Sequence, residues 1–331
     1  MKTIVAAPRR WWHAALLLAN AVVAAPAGWE RLAPLPIANG GFVAASLDGK
    51  LVVAGGTTWS GDTKTWLDQV WSYDPRFNTW RETGRLRAPV AYAVTGQDGH
   101  TVWFAGGSSG ATTHRTLWKI ETDLVPTKAA ALDRDFVYAA GAIIGSALYV
   151  VGGTDDQAKL DRVGNAFLAI DLGSGAITRL ADYPESGLTT GTAAAIGGRL
   201  FVFGGARWDP TQNTVVNHGT AHAYSVAEKR WQTLPPLPHP GRGLNAVVLD
   251  DHHILIAGGY RSNDVEFVAD TYLFNVETRT YTPSTPLPYA GMVGLVKSGE
   301  WLYCLGGEDR KKHRSDAAFR IRWKELLPAH R

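Results

Sequence analysis

From residue 28 onward the apolar positions fall into short runs with no helical period. Some are solid, such as Leu51–Ala54 and Leu148–Val151. Others alternate, such as Val70-Trp-Ser-Tyr-Asp74 and Thr271-Tyr-Leu-Phe-Asn275. A solid run of this length predicts a strand covered on both faces, and an alternating run predicts one covered on a single face. Asp48-Gly49, Asp98-Gly99 and Gly197-Gly198 separate neighbouring runs, and such pairs favour tight hairpins. The elements predicted throughout are antiparallel strands.

Six of the solid runs end in paired glycines, at Gly56, Gly107, Gly153, Gly205, Gly259 and Gly307, with intervals of 51, 46, 52, 54 and 48 residues. Around each pair the same parts recur. A small-residue strand comes before (Gly41–Ser46, Gly191–Ile196). A third strand follows, and then a fourth marked by Trp80, Trp231 or Tyr281. A four-stranded unit cannot bury both faces alone, so units repeating near 50 residues stack around an axis. The pattern resembles the kelch repeat and predicts an all-β fold, a six-bladed kelch-type β-propeller.

The last repeat supplies three strands, near Met292–Lys297, Trp301–Gly307 and Asp316–Arg322, and no convincing fourth. The missing strand is legible at the other end. Trp29-Glu-Arg-Leu32 followed by Ala-Pro-Leu-Pro36 has the form of Trp231-Gln-Thr-Leu234 followed by Pro-Pro-Leu-Pro238. The ring is therefore expected to close by pairing its own two ends, with residues 28–331 as one propeller domain.

Composition agrees: 331 residues carry 36 Gly, 17 Pro and 13 Trp, and 45% are apolar. Residues 1–27 stand apart. Lys2, Arg9 and Arg10 precede the apolar run Trp11–Val23, and Ala25-Pro-Ala27 offers small residues for cleavage, the order of a secretory signal peptide. Its removal leaves 30 basic and 30 acidic residues, so the basic balance of the full chain gives no reason to expect nucleic acid. The mature protein is expected to be periplasmic or secreted, with no membrane attachment. A lone cysteine, Cys304, excludes an internal disulfide and reads as a buried strand residue.

In a meander, the loops after the double glycines and those entering each inner strand share one face. Those loops carry Asn39, Arg87, Arg134, Glu185, Arg242 and Tyr289 on entry, and Arg207, Arg261, Glu308, Arg310, His313 and Arg314 after the glycines. Arginines converging on a mouth suggest an anionic small molecule, because guanidinium forks match carboxylates. The alternative is a rim of ion pairs with Asp135, Glu185, Asp209, Asp264 and Glu308. His252-His253 falls in a hairpin turn at the other face and reads as solvated surface. Glu308 is singular: its five counterparts are Thr57, Ser108, Thr154, Ala206 and Tyr260. A partly desolvated carboxylate there is placed to act as acid or base, or else forms a structural ion pair with Arg314.

At these residues the chain resembles the bacterial N-acetylneuraminate epimerases, the sialic acid mutarotases. The resemblance is carried by Gly306-Gly307-Glu308, five residues, then Arg314-Ser315-Asp316. It extends to Pro288–Gly291, Trp301-Leu302, the segment 29–34 and Gly41-Phe42 through Gly55-Gly56. The loop lies in the last repeat rather than inside the chain, so the match requires a circular permutation. The resemblance implies Glu308 as acid/base and Arg314 as a carboxylate-binding or charge-stabilising group, acting on a small acidic sugar. Asn39, Arg87, Arg134, Arg242 and Tyr289 are the wider candidates for substrate binding. Anomer exchange requires neither cofactor nor metal, and no phosphate loop, zinc spacing or nucleophile elbow stands in the sequence. A copper-radical oxidase would need a mouth-facing cysteine, which Cys304 is not. A non-catalytic secreted module binding glycans or a protein partner is the other reading.

Overall fold

The computed structural model describes residues 28–328, and the candidate export segment lies outside them. Six four-stranded antiparallel blades surround an axis. Blade 1 runs inside to outside through Val43–Leu47, Lys50–Ala54, Gln69–Asp74 and Thr79–Arg85, and blades 2 to 5 repeat this order. Blade 6 is built from Met292–Ser298, Trp301–Glu308 and Ala318–Arg322, with Glu30–Arg31 as its outer strand.

The solid apolar runs are second strands, each covered by both neighbouring blades. Leu51 and Val53 pack with Tyr303 and Leu305 of blade 6, while Val52 and Ala54 pack with Val102 and Phe104 of blade 2. Leu148 and Val150 likewise face blade 2, and Tyr149 and Val151 face blade 4. The two-residue period of a strand thus serves two interfaces at once. Inner strands crowd at the axis and are correspondingly rich in alanine, as in Ala193–Ala195.

Ring closure follows the sequence. Glu30 pairs with Arg320 and Arg31 with Phe319, and the Leu32 amide donates to Ala318 O at 2.9 Å. Trp29 also performs the task of its counterparts. Its indole N–H donates to Pro286 O at 2.8 Å, as Trp80 does to Ala33 O, Trp231 to Ala181 O and the Tyr281 hydroxyl to Pro235 O. Each aromatic pins its outer strand to the chain leaving the preceding blade.

The double glycines mark where one blade touches the next. The first of each pair has positive φ, and a Cβ on Gly55 would lie 2.1 Å from Val90 O of blade 2. The same clash recurs between Gly306 and Asn39 O. Gly55→Ala is therefore expected to destabilise the propeller by about 2–4 kcal/mol, from left-handed backbone strain and overpacking together. A denaturant melt with an unchanged midpoint would contradict this contact.

Three features are absent from the repeat. After the glycines of blades 1, 4 and 5 the chain rises into two-stranded hairpins: Thr57–Ser60 with Thr63–Trp66, Ala206–Asp209 with Thr214–Asn217, and Tyr260–Ser262 with Glu266–Phe267. They stand at the face where the entering loops converge.

Candidate functional site

At that face the entering segments are held by backbone bonds running from blade to blade. Tyr92 N donates to Gly41 O, Tyr138 N to Tyr92 O, Thr190 N to Tyr138 O and Gly243 N to Thr190 O. All five residues have positive φ, including the β-branched Thr190 at 49°. Side chains held in this sparsely populated region tend to gather at functional sites. Blade 6 is joined differently: its inner strand carries a bulge between Met292 and Gly294, and Asn245 Nδ2 of blade 5 donates to Val293 O at 3.3 Å.

The ring encloses a cavity of about 500 Å³, open at this face. It continues into a second space of about 540 Å³ between the inner strands, sharing Phe42, Ala93 and Leu244 with it. Glu308, Arg314 and Arg242 line the upper cavity, together with Tyr92, Tyr138 and Lys64.

Glu308 is the carboxylate of that wall. Arg314 Nη1 lies 2.8 Å from its Oε2, with the arginine side chain 3% exposed and the glutamate 28%. The guanidinium also donates from Nε to Thr57 Oγ1 at 3.1 Å, from Nη1 to His313 O at 3.1 Å and from Nη2 to Tyr92 Oη at 3.2 Å. Gly40 makes this possible, since a Cβ there would stand 2.6 Å from Arg314 Cδ. A buried charge is tolerable only when paired and well hydrogen-bonded, as here. One oxygen of Glu308 is thus fixed while the residue still borders the open cavity.

Tyr138 stands on blade 3, across the ring from blade 6. Burial, with Tyr92 and Glu308 nearby, pushes its hydroxyl well above the ordinary tyrosine range, and Arg314 offsets part of this. It is a neutral donor. Arg242 donates from Nη1 to Asn217 Oδ1 at 2.8 Å and stacks on Tyr260 at 4.5 Å. Desolvation lowers its pKa, opposed by Tyr260 and Glu308.

The expectation of several converging arginines narrows. Arg87 and Arg134 are exposed and do not border the cavity. Both sit before the turn into the inner strand, outside the backbone ring. Asn39 is buried and spends its Nδ2 on Gly55 O at 2.8 Å, and the Tyr289 hydroxyl donates to Gly306 O at 2.7 Å. These two brace the joint behind Glu308 and do not line the cavity. Arg207 lies 3.9 Å from Glu185, Arg261 pairs with Asp270, and Asp135 pairs with Arg115 at 3.3 Å, so part of the set is a rim of ion pairs. Exposed His252 pairs with Glu277 in its turn. Cys304 is fully buried, which pushes its thiol up to about 12.

Lys64, Tyr92 and Tyr138 were not singled out by the sequence reading. The two tyrosines carried a usable signal, since Ala91-Tyr92-Ala93 and Val137-Tyr138-Ala139 occupy one register in consecutive repeats. Lys64 carried none, because its hairpin lies outside the repeat.

The kelch motif model matches residues 38–86, which span blade 1. The chain is a kelch-repeat β-propeller. This propeller is 25% identical over 236 residues to N-acetylneuraminate epimerase 1 of Escherichia coli O6:H1, covering 58% of the chain and 61% of that protein. It is 26% identical over 221 residues to human Kelch-like protein 25, covering 64% of the chain and 35% of that protein. The chain therefore spans less than two thirds of either relative. No helix among the described residues is long and apolar enough to cross a membrane.

Proposed function

We propose that this propeller is a mutarotase, exchanging the anomers of an acidic sugar such as N-acetylneuraminate, with Glu308 as the acid/base. One observation carries the reading. A carboxylate occupies the single charged position among six equivalent sites, borders the axial cavity, and is oriented by an arginine that the protein otherwise buries. The loop from Glu308 to Arg314 also has the spacing of the epimerase-like motif, and an epimerase is among the chain's relatives.

The chemistry suits this inventory. Glu308 takes the proton from the anomeric hydroxyl as the bond from the anomeric carbon to the ring oxygen breaks. The ring oxygen is protonated in the same process, with the Tyr138 hydroxyl available as a neutral donor. The open-chain ketone turns about its carbon–carbon bond. Reclosure on the other face returns each proton and yields the other anomer. One positioned carboxylate and fixed donors suffice for such a step. We place the activity outside the cytoplasm, on the strength of the basic and apolar segment at residues 1–27.

The test is proton NMR of freshly dissolved single anomers of N-acetylneuraminate, with and without protein. Catalysed approach to the equilibrium mixture is expected. Binding without any acceleration would favour the alternative, a secreted module that holds acidic glycans without turning them over.

A further inference from the structure

Arg314 is the residue that the motif would offer to a ligand's carboxylate, and its donors are already engaged. Of the five N–H groups of a guanidinium, four point at Thr57, Tyr92, His313 O and Glu308. Two other cations line the same cavity without a carboxylate partner among the described residues. Lys64 rises on the Thr63–Trp66 strand of blade 1. Its ammonium stands 4.9 Å from the Tyr92 ring centroid, 5.0 Å from Trp66 and 5.9 Å from Trp59. Arg242 enters blade 5, and its remaining donors are bound by no acid.

Lys64 and Arg242 come from blades 1 and 5, the two neighbours of blade 6. Arg242 feels the charge of Glu308, and the Lys64 ammonium lies over Tyr92, whose hydroxyl accepts from Arg314 at 3.2 Å. Both are partly withdrawn from water and restrained, Lys64 by aromatic faces and Arg242 by Asn217 and Tyr260. That restraint lowers the entropy lost when a ligand's anion takes them up.

We infer that Lys64 and Arg242 together receive the ligand's carboxylate, and that Arg314 is a positioning residue for Glu308. The assignment rests on reading the cavity as a site for an acidic sugar, and it refines which sugars fit. With the anion held beside Glu308, the anomeric hydroxyl comes within reach only where carboxylate and hydroxyl share the anomeric carbon. A sugar acid with its carboxylate at the far end of the ring would present the wrong atom.

The probes are N-acetylneuraminate and its methyl ester, titrated calorimetrically into the folded protein and its Lys64→Met and Lys64→Arg variants. Methionine keeps an apolar stem for the aromatic box and removes the charge. Wild type is expected to prefer the acid by about tenfold or more, the scale of one charge-assisted hydrogen bond. Lys64→Met should lose most of that preference by weakening the acid while the ester binds as before, and Lys64→Arg should keep it. A Lys64→Met protein with the wild-type preference, or with acid and ester weakened equally, overturns the Lys64 assignment and leaves the acidic-sugar reading standing. A wild type that binds neither probe, or both alike, overturns the acidic-sugar reading and this assignment with it.

Discussion

Glu308→Gln is expected to slow anomer exchange by about 10²–10⁴-fold, the usual contribution of a positioned acid/base. Glutamine keeps the length of the side chain and can still accept from Arg314 Nη1, but it cannot take the proton from the anomeric hydroxyl. The fold should survive. Arg314 would keep its bonds to Thr57, Tyr92 and His313 O, and Glu308 itself is partly solvated. The measurement is exchange NMR on both proteins, with ligand binding followed separately. A variant that exchanges anomers at the wild-type rate removes Glu308 from the mechanism. Arg314→Lys sharpens the comparison. A single ammonium cannot satisfy the acceptors that the planar guanidinium reaches, so the expected loss falls on the turnover rate more than on affinity. A carboxylate-binding role for Arg314 would instead place the loss on affinity.

Deleting residues 28–34 is expected to unfold or aggregate the protein. The deletion removes Trp29 and Leu32, which are buried against blade 6 and its two neighbours, and losing side chains of this kind costs about 2–5 kcal/mol each. It also leaves Ala318–Arg322 as an unpaired edge, a template for pairing with another chain. Against a typical total stability of about 5–15 kcal/mol the sum is decisive. Trp29→Ala is the milder test, expected to cost about 3–5 kcal/mol while leaving the strand in place. Thermal melting with size-exclusion chromatography separates the outcomes. A truncated protein with unchanged melting temperature and elution would rule out the clasp.

Fold and closure were legible in the sequence because each depends on local chemistry that recurs. A glycine pair is needed wherever a second strand meets the next blade's carbonyl, so six pairs announced six blades. An outer-strand aromatic followed by Pro-Leu-Pro identified residues 29–36 as the end of blade 6 before any pairing was known. Glu308 and Arg242 were legible for the same reason, since register within a repeat places a residue at the mouth. Register does not say which way a side chain turns once there. Asn39 and Tyr289 turned inward to brace the backbone, Arg87 and Arg134 stayed in solvent, and Arg314 was drawn into a buried network made by Thr57 and Tyr92 of two other blades. Lys64 lay outside the repeat altogether, on a hairpin that brings it over the cavity only when folded back. These placements depend on packing between blades distant in the chain, and that was decided by the tertiary structure alone.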